Sequence, residues 1–166
     1  DIGDRGKFYW CNKIKGIHLT VDDDILYPAD YVEKVVEGMN RNKGSVVTFH
    51  GSILKTAKFS EKQTVSHFAR EVPSDIPVTI GGTGVMAYNT ANVKIDFGSF
   101  KCDFWADGWF AIQATKTGQS MIALRHEQGW LQPLPTDGPD IWDLNKQEER
   151  ASQIDSWILE HKLWDE

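Results

Sequence analysis

The chain has 166 residues, 40% hydrophobic, 11% aromatic and 25% charged, which is enough for one ordinary core. Its formal net charge of -6 argues against a basic surface for nucleic acid, and no run approaches the ~18 apolar residues of a membrane-spanning helix. A single soluble globular domain over residues 1–166 is the expectation.

Cys11 and Cys102 fit neither a zinc spacing nor a disulfide framework and read as reduced thiols of a cytoplasmic protein. The chain opens on DIGDRGKFYW without an initiator Met, which reads like the middle of a domain.

Residues 16–21 alternate Ile17, Leu19 and Val21 against His18 and Thr20, predicting a strand with the aliphatic face buried. Asp22, Asp23 and Asp24 follow at its carboxyl end. Pro28 suits a first helical turn, and Val32, Val35, Val36 and Met39 recur at helical spacing up to Gly44. Ser45 to Phe49 predicts a second strand, and strand–helix–strand points to parallel pairing in an α/β sheet.

Residues 55–77, polar and closed by Pro73 and Pro77, read as a surface excursion. IGGTGVMAYNT, residues 80–90, runs three glycines into an apolar strand. Asp103 to Thr117 predicts a helix, and Ser120 to Leu124 a strand handing over to Arg125 and His126. Residues 131–140 read as a proline-rich loop. Asn145 to Trp164 reads as an amphipathic helix with Ile154, Trp157, Ile158 and His161 on one side, packed on the core or touching a partner chain or membrane surface.

Ligands of open α/β sheets bind beyond the carboxyl ends of strands, where this reading puts Asp22–Asp24, His50 and His126. Strand alternation would send Asp22 and Asp24 to one side and Asp23 to the other. Paired carboxylates suit a hard divalent cation that also accepts phosphate oxygens; an Asp-rich turn capping a helix is the structural alternative. An EF-hand starting at Asp22 fails because Tyr27 stands where its glycine is required. The glycine run Gly81-Gly82-Thr83-Gly84 is not GxGxxG and lacks a Walker lysine, so it reads as a tight turn or a close backbone approach to ligand. Asp107, among Trp105, Ala106, Trp109 and Phe110, has the apolar surroundings of a general base.

In order along residues 1–131, these motifs resemble the glycosyltransferases of the GT-A fold. HLTVDDDILYPADYV looks like that family's strand, DxD motif and helix. IGGTGVMAY resembles the glycine-rich segment beside the donor sugar, ADG of ADGWFA the xED position, and LRHEQGWL the C-terminal metal histidine. Within the fold, DDDILYPADYV, TFHGS and GGTG are most similar to bacterial capsular polysaccharide enzymes, including heparosan-type N-acetylglucosaminyltransferases.

The resemblance implies a mixed sheet flanked by helices, and transfer of a sugar from a UDP-sugar to a glycan or glycoconjugate acceptor. It implies Mn2+ or Mg2+ held by Asp22, Asp24 and His126, with Asp23 as support. Arg5 and Lys7 would face the diphosphate, Gly82, Thr83 and Gly84 the donor sugar, and Asp107 would be the catalytic carboxylate. The family normally begins with two or more nucleoside-binding strands ahead of the segment resembled by GDRGKFYW, so residues 1–166 would be the C-terminal portion of such a domain. The xED position here reads Asp107-Gly108, without the second acid. VDDDIL also resembles the haloacid dehalogenase phosphatases, with Asp22 as nucleophile, and a non-catalytic carbohydrate-binding module is the further alternative.

Overall fold

The computed structural model describes residues 2–135 and 147–164. A five-stranded mixed sheet forms its centre, built from β1 (Ile17–Val21), β3 (Val46–Thr48), β6 (Ile76–Val78), β8 (Val85–Asn89) and β9 (Met121–Ala123) in the order β1-β8-β3-β9-β6. Among the described residues only β3 and β9 pair in parallel. A smaller sheet has the order β5-β4-β7, from β4 (Gly51–Ile53), β5 (Gln63–Ser66) and β7 (Ile80–Gly81). β2 (Ile25–Leu26) pairs with β10 (Gln132–Pro133).

Among the described residues three helices cover the central sheet: α1 (Tyr31–Arg41), α2 (Ala106–Lys116) and α3 (Glu148–His161). Two apolar clusters follow the alternation of the strands. Val46, Met86, Tyr88, Met121 and Ala123 pack with Trp109, Phe110, Ile154 and Ile158 of α2 and α3. Val47, Val85, Ala87 and Leu124 pack with Tyr31 and Val35 of α1. The sheet is therefore buried on both faces, which explains why β8 reads as a continuous apolar run. Burying each large side chain contributes about 1.5–3 kcal/mol.

The aliphatic alternation of β1 proves misleading. Thr20 is 3% exposed, whereas Ile17 and Val21 are 41% and 51% exposed. β1 is an edge strand, and of its aliphatic side chains Leu19 alone packs, partly buried, against the cluster under α1. The other face of β1 carries His18, stacked on Tyr88 at 5.2 Å, and the buried Thr20. Parallel strand–helix–strand geometry survives in direction only, because β8 lies between β1 and β3 and is antiparallel to both. Val32, expected on the apolar face of α1, is exposed, and Tyr31 takes that place.

Residues 55–77, expected as a surface excursion, supply β5, the start of β6 and a 3-10 turn at Phe59–Glu61. β5 turns only Val65 and Ser66 inward among polar neighbours, which a composition argument does not resolve. Part of the expected loop 131–140 pairs as β10; residues 136–140, and 145–146 of the expected tail helix, lie outside the described residues. In α3, Ile154 and Ile158 are buried and Trp157 meets Trp109 at 4.9 Å, so the tail packs on the core.

The helix expected from Asp103 starts later, at Ala106. Phe104 adopts a left-handed φ of 62°, and Asp4 caps the helix from a distance by accepting the Phe104 and Ala106 N–H groups at 2.7 and 2.9 Å. Both cysteines are free thiols, with Cys102 accepting a hydrogen bond from the Trp109 indole. Among the described residues no helix is long and apolar enough to cross a membrane.

Candidate functional site

The chain first leaves the central sheet for the small one at His50, between β3 and β4, and makes its last return through Gly82–Gly84, between β7 and β8. The two crossings are tied together. Gly82 N–H donates to the His50 carbonyl at 2.8 Å, and the Thr48 hydroxyl donates to the Gly82 carbonyl at 3.1 Å. The glycine turn is thereby fixed at the end of the central strands.

Asp22 follows the last register pair of β1 and β8, Val21 with Val85, so it stands opposite Gly84. A Cβ on Gly84 would lie 2.0 Å from Asp22 Oδ2. Only glycine permits this approach, because any side chain would occupy the space of the carboxylate. The other carboxylate oxygen of Asp22, Oδ1, pairs with the Lys7 ammonium. Tyr27 closes the corner. Its hydroxyl accepts the Asp22 N–H at 2.8 Å and donates to the Gly84 carbonyl at 2.5 Å. Burial, with the Asp22 and Asp24 carboxylates adding to it, pushes the Tyr27 phenol up to about 12.

The same turn holds a second acid. Asp107, in the first turn of α2, accepts both the backbone N–H and the hydroxyl of Thr83 on Oδ1, at 2.8 and 2.7 Å. A carboxylate at a helix N-terminus is favoured by the helix dipole. Asp4 lies nearby; burial raises its carboxyl pKa and Asp107 adds repulsion, which Lys7 opposes. Gly108, where the family pattern has an acid, sits under the Trp105 ring. A Cβ there would come within 2.1 Å of the indole, so a side chain at 108 is sterically barred.

The structure therefore brings together Lys7, Asp22, Gly82, Thr83, Gly84 and Asp107. Asp23 and Asp24 form a turn after β1 ends, so strand alternation stops before it can align Asp22 with Asp24. Both are exposed, and the Asp24 carbonyl accepts the Leu134 N–H at 2.7 Å. Arg5 is directed elsewhere, paired with Asp103 at 3.0 Å and donating to the Phe100 carbonyl at 3.1 Å.

His126 is 9% exposed, with Nδ1 2.8 Å from the Leu124 carbonyl and Nε2 3.2 Å from the His67 carbonyl. Both ring nitrogens face backbone carbonyl oxygens, which stand in the directions a metal ion would need. Among the described residues no three His, Cys, Asp or Glu side chains are grouped to hold a metal. Asp22 is taken up by Lys7 and Asp24 stands exposed on the turn, so the two carboxylates are not gathered into one donor set here. Lys7 is the cation that makes Asp22 tolerable in this structure.

Tyr27 and Asp4 escaped sequence reasoning. The Tyr27-Pro28 pair looked like a helix start, and Asp4 carries no motif; only the pairing of distant segments exposes them. A cleft of about 470 Å3 lies on the α1 face, and neither Asp22, Asp24, Asp107 nor Lys7 lines it. No family profile matches the chain, and no curated protein matches it in sequence.

Proposed function

We propose that the chain is a GT-A-type glycosyltransferase that moves a hexosyl group from a UDP-sugar to a glycan or glycoconjugate acceptor. One observation carries this reading: a single glycine turn closes on Asp22 through Gly84 and on Asp107 through Thr83. Two acids far apart in the chain thus flank one short backbone segment, as a donor sugar between a diphosphate and an acceptor would require.

Asp22 and Asp24 would hold Mn2+ or Mg2+. When bound, the metal neutralises charge developing on the nucleoside diphosphate leaving group. Lys7, already beside Asp22, supplies a second positive group for the diphosphate. Gly82, Thr83 and Gly84 let backbone lie close to the sugar. Asp107 accepts the proton of the acceptor hydroxyl or positions that hydroxyl, and the Thr83 hydrogen bonds fix its orientation. We place the reaction in the cytoplasm, which keeps thiols such as Cys11 and Cys102 reduced.

Calorimetric titration of the complete polypeptide with UDP, with and without Mn2+, tests the reading. Mn2+-dependent UDP binding is expected, and its absence would sink the proposal. A covalent aspartyl adduct with fluoroberyllate would instead favour phosphatase chemistry at Asp22.

A further inference from the structure

The cleft of about 470 Å3 on the α1 face has a charge pattern that selects its ligand. One wall is the row Asp30, Lys34, Glu37 and Arg41, which runs roughly 16 Å along the helix at 1.5 Å per residue. Its charges alternate in sign, with Lys34 and Glu37 paired to each other at 3.2 Å. Glu71, Arg125, Glu127 and Trp130 also line it, the charges again of both signs.

The walls are pinned from both ends. Asp30 accepts the Trp130 indole N–H at 3.1 Å. Asp75 accepts the Arg125 N–H at 2.9 Å and the Asn42 amide at 2.8 Å, and pairs with Arg41 at 3.4 Å. Val72 and His126 exchange backbone hydrogen bonds, both at 2.9 Å. By contrast, Glu71, Arg125 and Glu127 are exposed, and among the described residues no hydrogen bond or ion pair engages their side chains. The cleft is a fixed frame with unused donors and acceptors at its mouth.

A polyanion or polycation would meet repulsion at every second residue of the α1 row. An uncharged chain of hydroxyl groups would not, since a hydroxyl donates to carboxylates and accepts from guanidinium and ammonium groups. The length of the row suits several linked residues rather than one. We infer that this cleft binds an uncharged oligosaccharide. Its role as acceptor site rests on the transferase reading above; Asp30, at one end of the row, precedes Tyr31, whose ring meets that of Tyr27 at 4.8 Å.

Chitotetraose and maltotetraose, both uncharged, are titrated calorimetrically into the full chain beside a galacturonate tetramer and an alternating lysine–glutamate peptide. Binding of an uncharged tetramer is expected. It should weaken about tenfold or more in Arg125→Ala/Glu127→Ala, and independently in Glu71→Ala, as hydrogen bonds to charged groups are lost. UDP–Mn2+ affinity should stay unchanged in both variants. Binding of neither uncharged tetramer, a preference for the galacturonate or the peptide, or indifference to both variants overturns the inference. Tetramer binding without UDP–Mn2+ binding would instead remove the transferase reading and leave the cleft standing.

Discussion

Thr83 gives both its backbone N–H and its hydroxyl to one oxygen of Asp107, at 2.8 and 2.7 Å, locking the glycine turn to the start of α2. Asp107 therefore has a structural task that an amide can share and a charge that it cannot. Asp107→Asn keeps an acceptor oxygen and should lose less than about 1 kcal/mol in urea unfolding. Asp107→Ala strands two donors of a residue that is 3% exposed and should lose about 2–3 kcal/mol. In the transfer assay, Asp107→Asn should lower turnover about 100-fold or more with UDP affinity nearly intact. A collapse of UDP affinity would make the role structural or metal-binding.

Gly84→Ala should damage the other half of the site. Its new Cβ would lie 2.0 Å from Asp22 Oδ2, so the carboxylate or the end of the β1–β8 pair must shift. The expected cost is about 1–3 kcal/mol in thermal or urea melts, together with a tenfold or greater loss of Mn2+-dependent UDP binding. A Gly84→Ala variant that melts and binds like the parent would show that the Asp22 approach is unimportant.

Lys7 and a metal ion compete for the Asp22 carboxylate. Lys7→Gln removes the ammonium paired with Oδ1, so Mn2+ should bind more tightly without nucleotide. The same variant should bind UDP–Mn2+ more weakly, because a positive group facing the diphosphate is gone. Opposite signs in two calorimetric titrations are the signature. A decrease in both would assign Lys7 to holding the fold alone.

Acid should destabilise the protein before its carboxylates titrate. Burial, helped by the charges of His67, Lys62 and His126, lowers the His50 imidazole from 6.5 to about 4. The unfolded chain then binds the extra proton, so the contribution is fully present above pH 6.5 and is lost as pH falls from there towards 4. The loss is on the order of 3 kcal/mol. Burial lowers His18 and His67 in the same direction. His50→Gln should flatten the fall of the urea midpoint over this range by on the order of one bound proton. An unchanged slope would show that His50 is not its source.

Local pattern was enough for the segments whose neighbours are close in sequence. The helix after Pro28, the apolar strand from Val85, the strand at Met121–Ala123 and the inward side of the tail helix all lie near their expected places, because periodicity and turn residues act over a few positions. The family resemblance also singled out Asp22, Lys7, Thr83, Gly84 and Asp107, which the fold brings together, along with Arg5 and His126, which it directs elsewhere.

Which of them meet was decided by strand order. Inserting antiparallel β8 between β1 and β3 puts Gly84 opposite Asp22 and carries Thr83 to α2. An alternation of Ile17, Leu19 and Val21 cannot reveal that its strand lies at the sheet edge, so Thr20 became the buried side chain. His126 looks like a ligand in a row of letters, yet its two nitrogens face the Leu124 and His67 carbonyls. Sequence determined the residue types and the local elements; the pairing of distant strands determined the site, because contacts across a sheet depend on order and register that no local period encodes.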